Sequence, residues 1–281
     1  MGTVKKLLGI ACIFIAVIAG AFACKTAKST SSSSGKSMKN KRVLVYTKNG
    51  KGYVHQNISA ATASLQELGK QNDFTVDVSD RPEDFTDENL KKYSVLIFNN
   101  TNNDVFTSDD QKVALMRYVQ AGGGFIGIHS ASGTERNWPW FKRLLGATFL
   151  RHAAHQKFKD IVIDNTHPST SSLPQIWECD DECYYVKEVN PDLHVLVVHD
   201  LSSVNDKDKP VFYGQTFPSV WCHEFDGGRQ WYTTLGHDSA TYSNPVFQKH
   251  LLGGIEWVAS GNDKLDYSKA KAKSPDDPLP Y

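Results

Sequence analysis

Residues 122–133 read GGGFIGIHSASG, and this stretch constrains the fold more than any other. A helical pattern ends at the three glycines. The apolar run Phe125-Ile126-Gly127-Ile128 follows and stops abruptly at His129-Ser130-Ala131-Ser132-Gly133, and a second helical pattern begins near Trp138. An apolar run without alternation suits a strand buried on both faces. A strand that turns into a helix is the repeating unit of a parallel sheet. In many α/β enzymes such a turn presents a nucleophile. Here it presents His129, and the neighbouring Ser130 lacks a G-x-S-x-G frame, which argues against a covalent triad.

The rest of the chain fits the same architecture. Residues 42–47, 74–78 and 93–98 are compact β-rich runs. Between them, residues 56–68 place Ile58, Ala61, Leu65 and Leu68 at helical spacing, and Thr107 or Ser108 can cap a helix carrying Val113, Leu115, Met116 and Val119. After Trp138 the pattern changes. Residues 158–164 and 194–199 are strand-like, 219–235 reads as a hairpin turning at Asp226-Gly227-Gly228, and 244–259 is a last amphipathic helix. The expectation is an α/β domain with an open, mostly parallel sheet flanked by helices and a β-hairpin added in the C-terminal half.

The ends differ in composition. Lys5 and Lys6 precede an apolar stretch over 7–22, and Ala21-Phe22-Ala23-Cys24 resembles a bacterial lipobox. Residues 1–24 are therefore expected to be a lipoprotein signal peptide with lipidation at Cys24. Residues 25–40 form a Ser/Lys-rich tether, 41–262 the α/β domain, and 263–281 a loose polar tail. The protein is then exported and anchored by lipid to a bacterial membrane, on the periplasmic side or the cell surface. The formal net charge is zero and no basic block with interleaved aromatics occurs, so nucleic acid is excluded as a partner class. Of the remaining cysteines, Cys179, Cys183 and Cys222, an oxidising compartment allows one disulfide, while the alternative is a set of half-buried thiols.

Ligands of open α/β sheets bind beyond the carboxyl ends of the strands. That rule brings His55, Asn99, Asn100 and His129 to one rim. A neutral imidazole there can bind a divalent metal such as zinc or act as a general base. No G-x-G-x-x-G follows the first strand, so a nicotinamide cofactor has no visible seat. Acidic, histidine and aromatic residues recur together in RHAAHQ, WECDDECYY, SVWCHEF and TLGHD. Rings beside carboxylates suit a sugar, whose C–H faces stack while its hydroxyls are hydrogen-bonded. Against this, Trp177 and Trp221 suit the core, His167 suits loop shaping, and Asp180-Asp181 suits a solvated turn.

GGGFIGIHSAS, then LLGATF, IDNTHPST, PSVW, DGGRQWYTTLGHD and HLLGGIEWVASG, in that order, resemble the ThuA-like family, named for trehalose utilisation. The resemblance spans about 42–260. It implies a flavodoxin-like, class I glutamine amidotransferase-like fold whose catalytic cysteine is replaced. It carries family motif positions onto His55, His129, His152, Glu182, Tyr184, Arg229 and His237. Ala153 departs from the family's frequent proline, and Cys179 and Cys183 bracket the acidic motif. The resulting expectation is a protein of carbohydrate metabolism that takes a disaccharide or keto-sugar. His129, His55 and Glu182 would carry acid/base or metal-assisted chemistry. Asn99, Asn100, His152, Tyr184, Arg229 and His237 would bind substrate. The alternative is a non-catalytic carbohydrate-binding lipoprotein.

Overall fold

The computed structural model describes residues 38–261 and 264–280. The signal peptide, Cys24 and tether residues 25–37 lie outside the described residues. The elements in chain order are β1 (Arg42–Tyr46), α1 (Ile58–Gln71), β2 (Thr75–Ser79), α2 (Asp87–Leu90), β3 (Val95–Asn99), α3 (Asp109–Gln120), β4 (Gly124–Ile128) and α4 (Pro139–Leu145). There follow β5 (Thr148–His152), β6 (Gln156–Val162), β7 (Ile176–Asp181), β8 (Tyr184–Lys187), β9 (His194–Asp200), β10 (Thr216–Phe225), β11 (Gly228–Thr233) and α5 (Pro245–Ala259).

Nine strands form one mixed sheet in the order β2-β1-β3-β4-β11-β10-β9-β6-β7. Its β2-β1-β3-β4-β11 half is parallel, and from β11 onward the pairs are antiparallel. Every residue of β3 and β4 is buried, which is why both read as unbroken apolar runs. The predicted hairpin is β10–β11, and it has a particular consequence. Because β11 runs parallel to β4, its carboxyl end reaches the same rim as those of β1, β3 and β4.

Close approach demands glycine at Gly127. A Cβ there would stand 2.6 Å from Leu145 Cδ1 and 2.9 Å from Tyr232 Cδ2. The chain then turns at His129, whose φ is +50°, a conformation uncommon for a side-chain-bearing residue. Tyr232 Oη holds the turn by donating to the His129 carbonyl at 2.6 Å.

The helix expected from near Trp138 is α4, which begins at Pro139 after a short 3₁₀ turn at His129–Gly133. Other local features differ from the expectation or decide between its alternatives. Three strands were not anticipated: β5 and β8, which form a separate antiparallel ribbon, and β7 at the sheet edge. The polar tail is docked. Trp138 Nε1 donates to Pro275 O at 2.9 Å, Gln120 Oε1 accepts from the N–H groups of Lys271 and Ala272, and Ala272 is buried. Cys179, Cys183 and Cys222 are buried free thiols.

Candidate active site

Three carboxyl-end loops of the parallel half each deliver a histidine: His55 after β1, His129 after β4 and His237 after β11. Their rings meet edge to face, with centroids 4.9 Å apart for His55–His129 and 5.4 Å apart for both His55–His237 and His129–His237. The β7–β8 turn adds Glu182. One ligand atom from each of His55, His129, Glu182 and His237 lies within 4.8 Å of every other. The β5–β8 ribbon contributes His152 and Tyr184, which are directly cross-strand partners. Of these, His55, His152, Glu182 and Tyr184 line a cavity of about 400 Å³ whose wall also includes Tyr53, Asn102, Arg136 and Phe149.

His129 is completely buried. Its Nδ1 lies 2.7 Å from the Thr234 carbonyl oxygen, which can only accept, so Nδ1 carries a proton and Nε2 faces the cluster. Tyr184 Oη lies 2.9 Å from that Nε2. Glu182 Oε2 stands 3.6 Å from the same nitrogen and 3.2 Å from His237 Nδ1, while Oε1 is 3.4 Å from His152 Nδ1. Burial works against charge on Glu182, but the facing His129, His237 and His152 outweigh it and hold the carboxyl below its ordinary range. The Glu182 carboxylate, 3.2 Å from Nδ1, raises the His237 imidazole. Burial, reinforced by His129 and His237, pushes His55 down to about 3, so it is neutral near pH 7. The buried His55 Nδ1 has no hydrogen-bond partner.

One residue arranges this cluster without belonging to it. Asp181 is fully enclosed and accepts the backbone N–H groups of Glu182 at 2.8 Å, Gly236 at 2.8 Å and His237 at 3.2 Å. A single carboxylate thus ties the Glu182 turn to the His237 loop. Burial pushes its carboxyl upward against the pull of His129 and the three N–H groups. The sequence reading took Asp181 for part of a solvated turn. The available signal was alternation: in β7, Trp177, Cys179 and Asp181 face inward. Behind Thr234 lies a second buried network. Asp160 bonds His199 Nδ1 at 2.6 Å and Ser219 Oγ at 2.7 Å, and Ser219 contacts Thr234 Oγ1 at 3.0 Å.

The expected binding residues divide. His152, Tyr184 and His237 join His55, His129 and Glu182. Asn99 and Asn100 reach the rim but do not line the cavity, and this corrects their placement as substrate contacts. Asn99 Nδ2 donates to Ile58 O and Thr62 Oγ1, and Asn100 bonds Asn99, Asn57 and Tyr242. They brace the loop of His55 and, through Asn57 and Tyr242, the carbonyl of Gly236. Arg229 is corrected as well. It opens β11, at the strand end opposite Thr234, where it bonds Glu224 and Ser260 and covers the Trp257 ring. Tyr53, Asn102, Arg136 and Phe149 complete the wall without having been assigned a role from the sequence, although Phe149 closes the LLGATF motif.

A nine-stranded sheet, parallel in its β2-β1-β3-β4-β11 half and flanked by helices, defines a flavodoxin-like α/β protein with a histidine at the elbow after β4. Residues 42–258 match the family described as ThuA, trehalose utilisation, and the chain belongs to that family. A ThuA-like protein from Bacteroides uniformis is 24% identical with a TM-score of 0.67, over 80% of this chain and 94% of its own. One from Parabacteroides merdae is 20% identical with a TM-score of 0.62, over 84% of this chain and 99% of its own. Both likenesses concern the fold. No curated protein matches.

Proposed function

We propose that the chain is an enzyme that acts on a sugar or oxidised sugar, with His55, His129, Glu182 and His237 holding a divalent cation of zinc type. The observation that carries this reading is the meeting of four ligand atoms within 4.8 Å, with two of their residues, His55 and Glu182, lining the cavity. The donor set fits. In its neutral form, with the proton on Nδ1, His129 turns a lone pair toward the Glu182 carboxylate at 3.6 Å, and two such bases repel unless a cation or proton lies between them. The unpartnered Nδ1 of buried His55 is a second free ligand atom. The Thr234 carbonyl orients His129 in the way outer partners orient metal-bound imidazoles. A bound cation would polarise a sugar carbonyl or hydroxyl, while Tyr184 and His152 sit beside Glu182 to hold hydroxyls.

One observation favours a second reading, metal-free acid/base chemistry: Tyr184 Oη already occupies His129 Nε2 at 2.9 Å. Metal analysis of the purified protein, with turnover screening on mono- and disaccharides and their 3-keto forms, separates the two. Stoichiometric zinc-type metal supports the first, and turnover undiminished by chelation supports the second. Binding without turnover on any of these sugars would overturn both in favour of a carbohydrate-binding protein. The N-terminal segment adds that this activity is exported and lipid-anchored through Cys24, which rests on the lipobox-like Ala21-Phe22-Ala23-Cys24.

A further inference from the structure

We infer that Arg136 selects the substrate, and that the group it selects is a carboxylate: the cavity takes an acidic sugar of the uronic-acid type. This rests on the sugar reading and narrows it.

Arg136 lies on the wall of the same cavity as Glu182 and His152. It is held in place by neutral groups. Its Nε donates to Gly133 O at 2.9 Å and Nη2 to Asn102 Oδ1 at 3.2 Å, and the guanidinium lies 5.5 Å from the centre of the Phe149 ring. Asn102 is itself fixed, since its Nδ2 donates to Tyr53 O and its Oδ1 accepts from the N–H of Asn103. The planar fork is therefore pre-oriented by two acceptors and a ring face. A guanidinium has five N–H donors, so most of the fork remains for a ligand.

The charge inventory decides what that ligand is. Arg42, Arg117, Arg151 and Arg229 each pair with a carboxylate, and of the described arginines that do not, Arg81, Arg136 and Arg143, only Arg136 lines the cavity. Among the described residues no carboxylate pairs with Arg136. Glu182 is the one carboxylate on the cavity wall, and it is already faced by His129, His152 and His237. The wall thus carries a fixed, always-protonated cation without an internal counter-charge. A neutral sugar would leave it so. A carboxylate satisfies it through two parallel N–H···O bonds, the geometry in which arginine outperforms lysine. The rings of Phe149 and Tyr53 beside it suit the C–H face of a pyranose.

The test uses the full globular chain and three probes of one shape: methyl glucuronoside, its methyl ester and methyl glucoside, with the galacto series in parallel. Titration calorimetry should show the acid binding at least about tenfold tighter than its ester, the difference expected for a charge-assisted pair. Arg136→Gln should abolish that difference between acid and ester. Arg136→Lys should restore only part of it, because the charge returns without the fork. Circular dichroism on both variants confirms folding, as the side chain is exposed. Equal affinity for acid and ester overturns the inference while leaving the sugar reading intact. So does a preference for acid that survives in Arg136→Gln, which would place the carboxylate on another group. Failure of every probe, neutral and acidic, in both series overturns the inference together with the sugar reading.

Discussion

The Nδ1–H of His129 donates to the carbonyl oxygen of Thr234 at 2.7 Å, joining the turn after β4 to the end of β11. This bond sets which imidazole nitrogen faces the cluster. His129→Gln retains a side-chain amide but loses the ring. With a cation in the cluster, the variant should lose bound metal, measurable as stoichiometry by elemental analysis. With acid/base chemistry, kcat should fall about 10²–10⁴-fold at nearly unchanged KM. A variant that keeps full activity on an identified substrate and loses only thermal stability would make His129 a structural plug.

Asp181 should matter to the site beyond its burial. Asp181→Asn keeps the shape but turns an NH₂ group toward backbone N–H donors that need acceptors. The expected destabilisation is about 1–3 kcal/mol, read from urea unfolding. The same variant should lose cation affinity by about 10–100-fold, the usual effect of removing an outer-shell support. Unchanged affinity in a folded Asp181→Asn protein would refute its role in positioning Glu182 and His237.

Acid should weaken the fold through its buried histidines. His250 is fully enclosed, with the Trp177, Trp231 and Phe247 rings 5.2, 4.9 and 5.9 Å away, and burial lowers it to about 4. The unfolded chain takes up this proton near pH 6.5 and the folded chain only near 4. The unfolded state therefore binds more protons in that window, and stability falls as pH drops from 6.5 to 4. The His250 share is on the order of 3 kcal/mol at pH 4. His250→Gln should flatten the decline of the urea midpoint across this range. His55 and His167, also lowered by burial, would supply the slope that remains. Parallel curves for the two proteins would show that His250 titrates alike folded and unfolded.

Anchoring can be tested independently of the site. Cys24→Ala should move the protein from the membrane fraction to the soluble one without changing its thermal unfolding, because the core of the described residues runs from Met38 to Ala272. Metabolic labelling with a palmitate analogue should mark the wild type and not the variant. An unlabelled wild type would leave the lipoprotein reading without support.

The sequence by itself determined the parallel half of the sheet and two members of the cluster. Unbroken apolar runs exist because β3 and β4 are covered on both faces, and that pattern is local. The carboxyl-end rule then placed His55 and His129 on one rim without any knowledge of distant contacts. What it could not set was side-chain direction. Asn99 and Asn100 end on that rim, but Asn100 sits at φ +52° and both amides turn into a buried network. Glu182, Asp181 and His237 became a unit only in the tertiary structure. Asp181 meets Gly236 across 55 residues of chain, brought there by β7 at the edge of the antiparallel half. Arg229 shows the same limit in reverse. Its motif neighbours Thr234 and His237 reach the site, but the parallel pairing of β11 with β4 sends the strand's start to the opposite end. Strand formation follows from residue pattern, whereas the convergence of loops depends on strand order and direction, which are settled by packing between segments far apart in the chain.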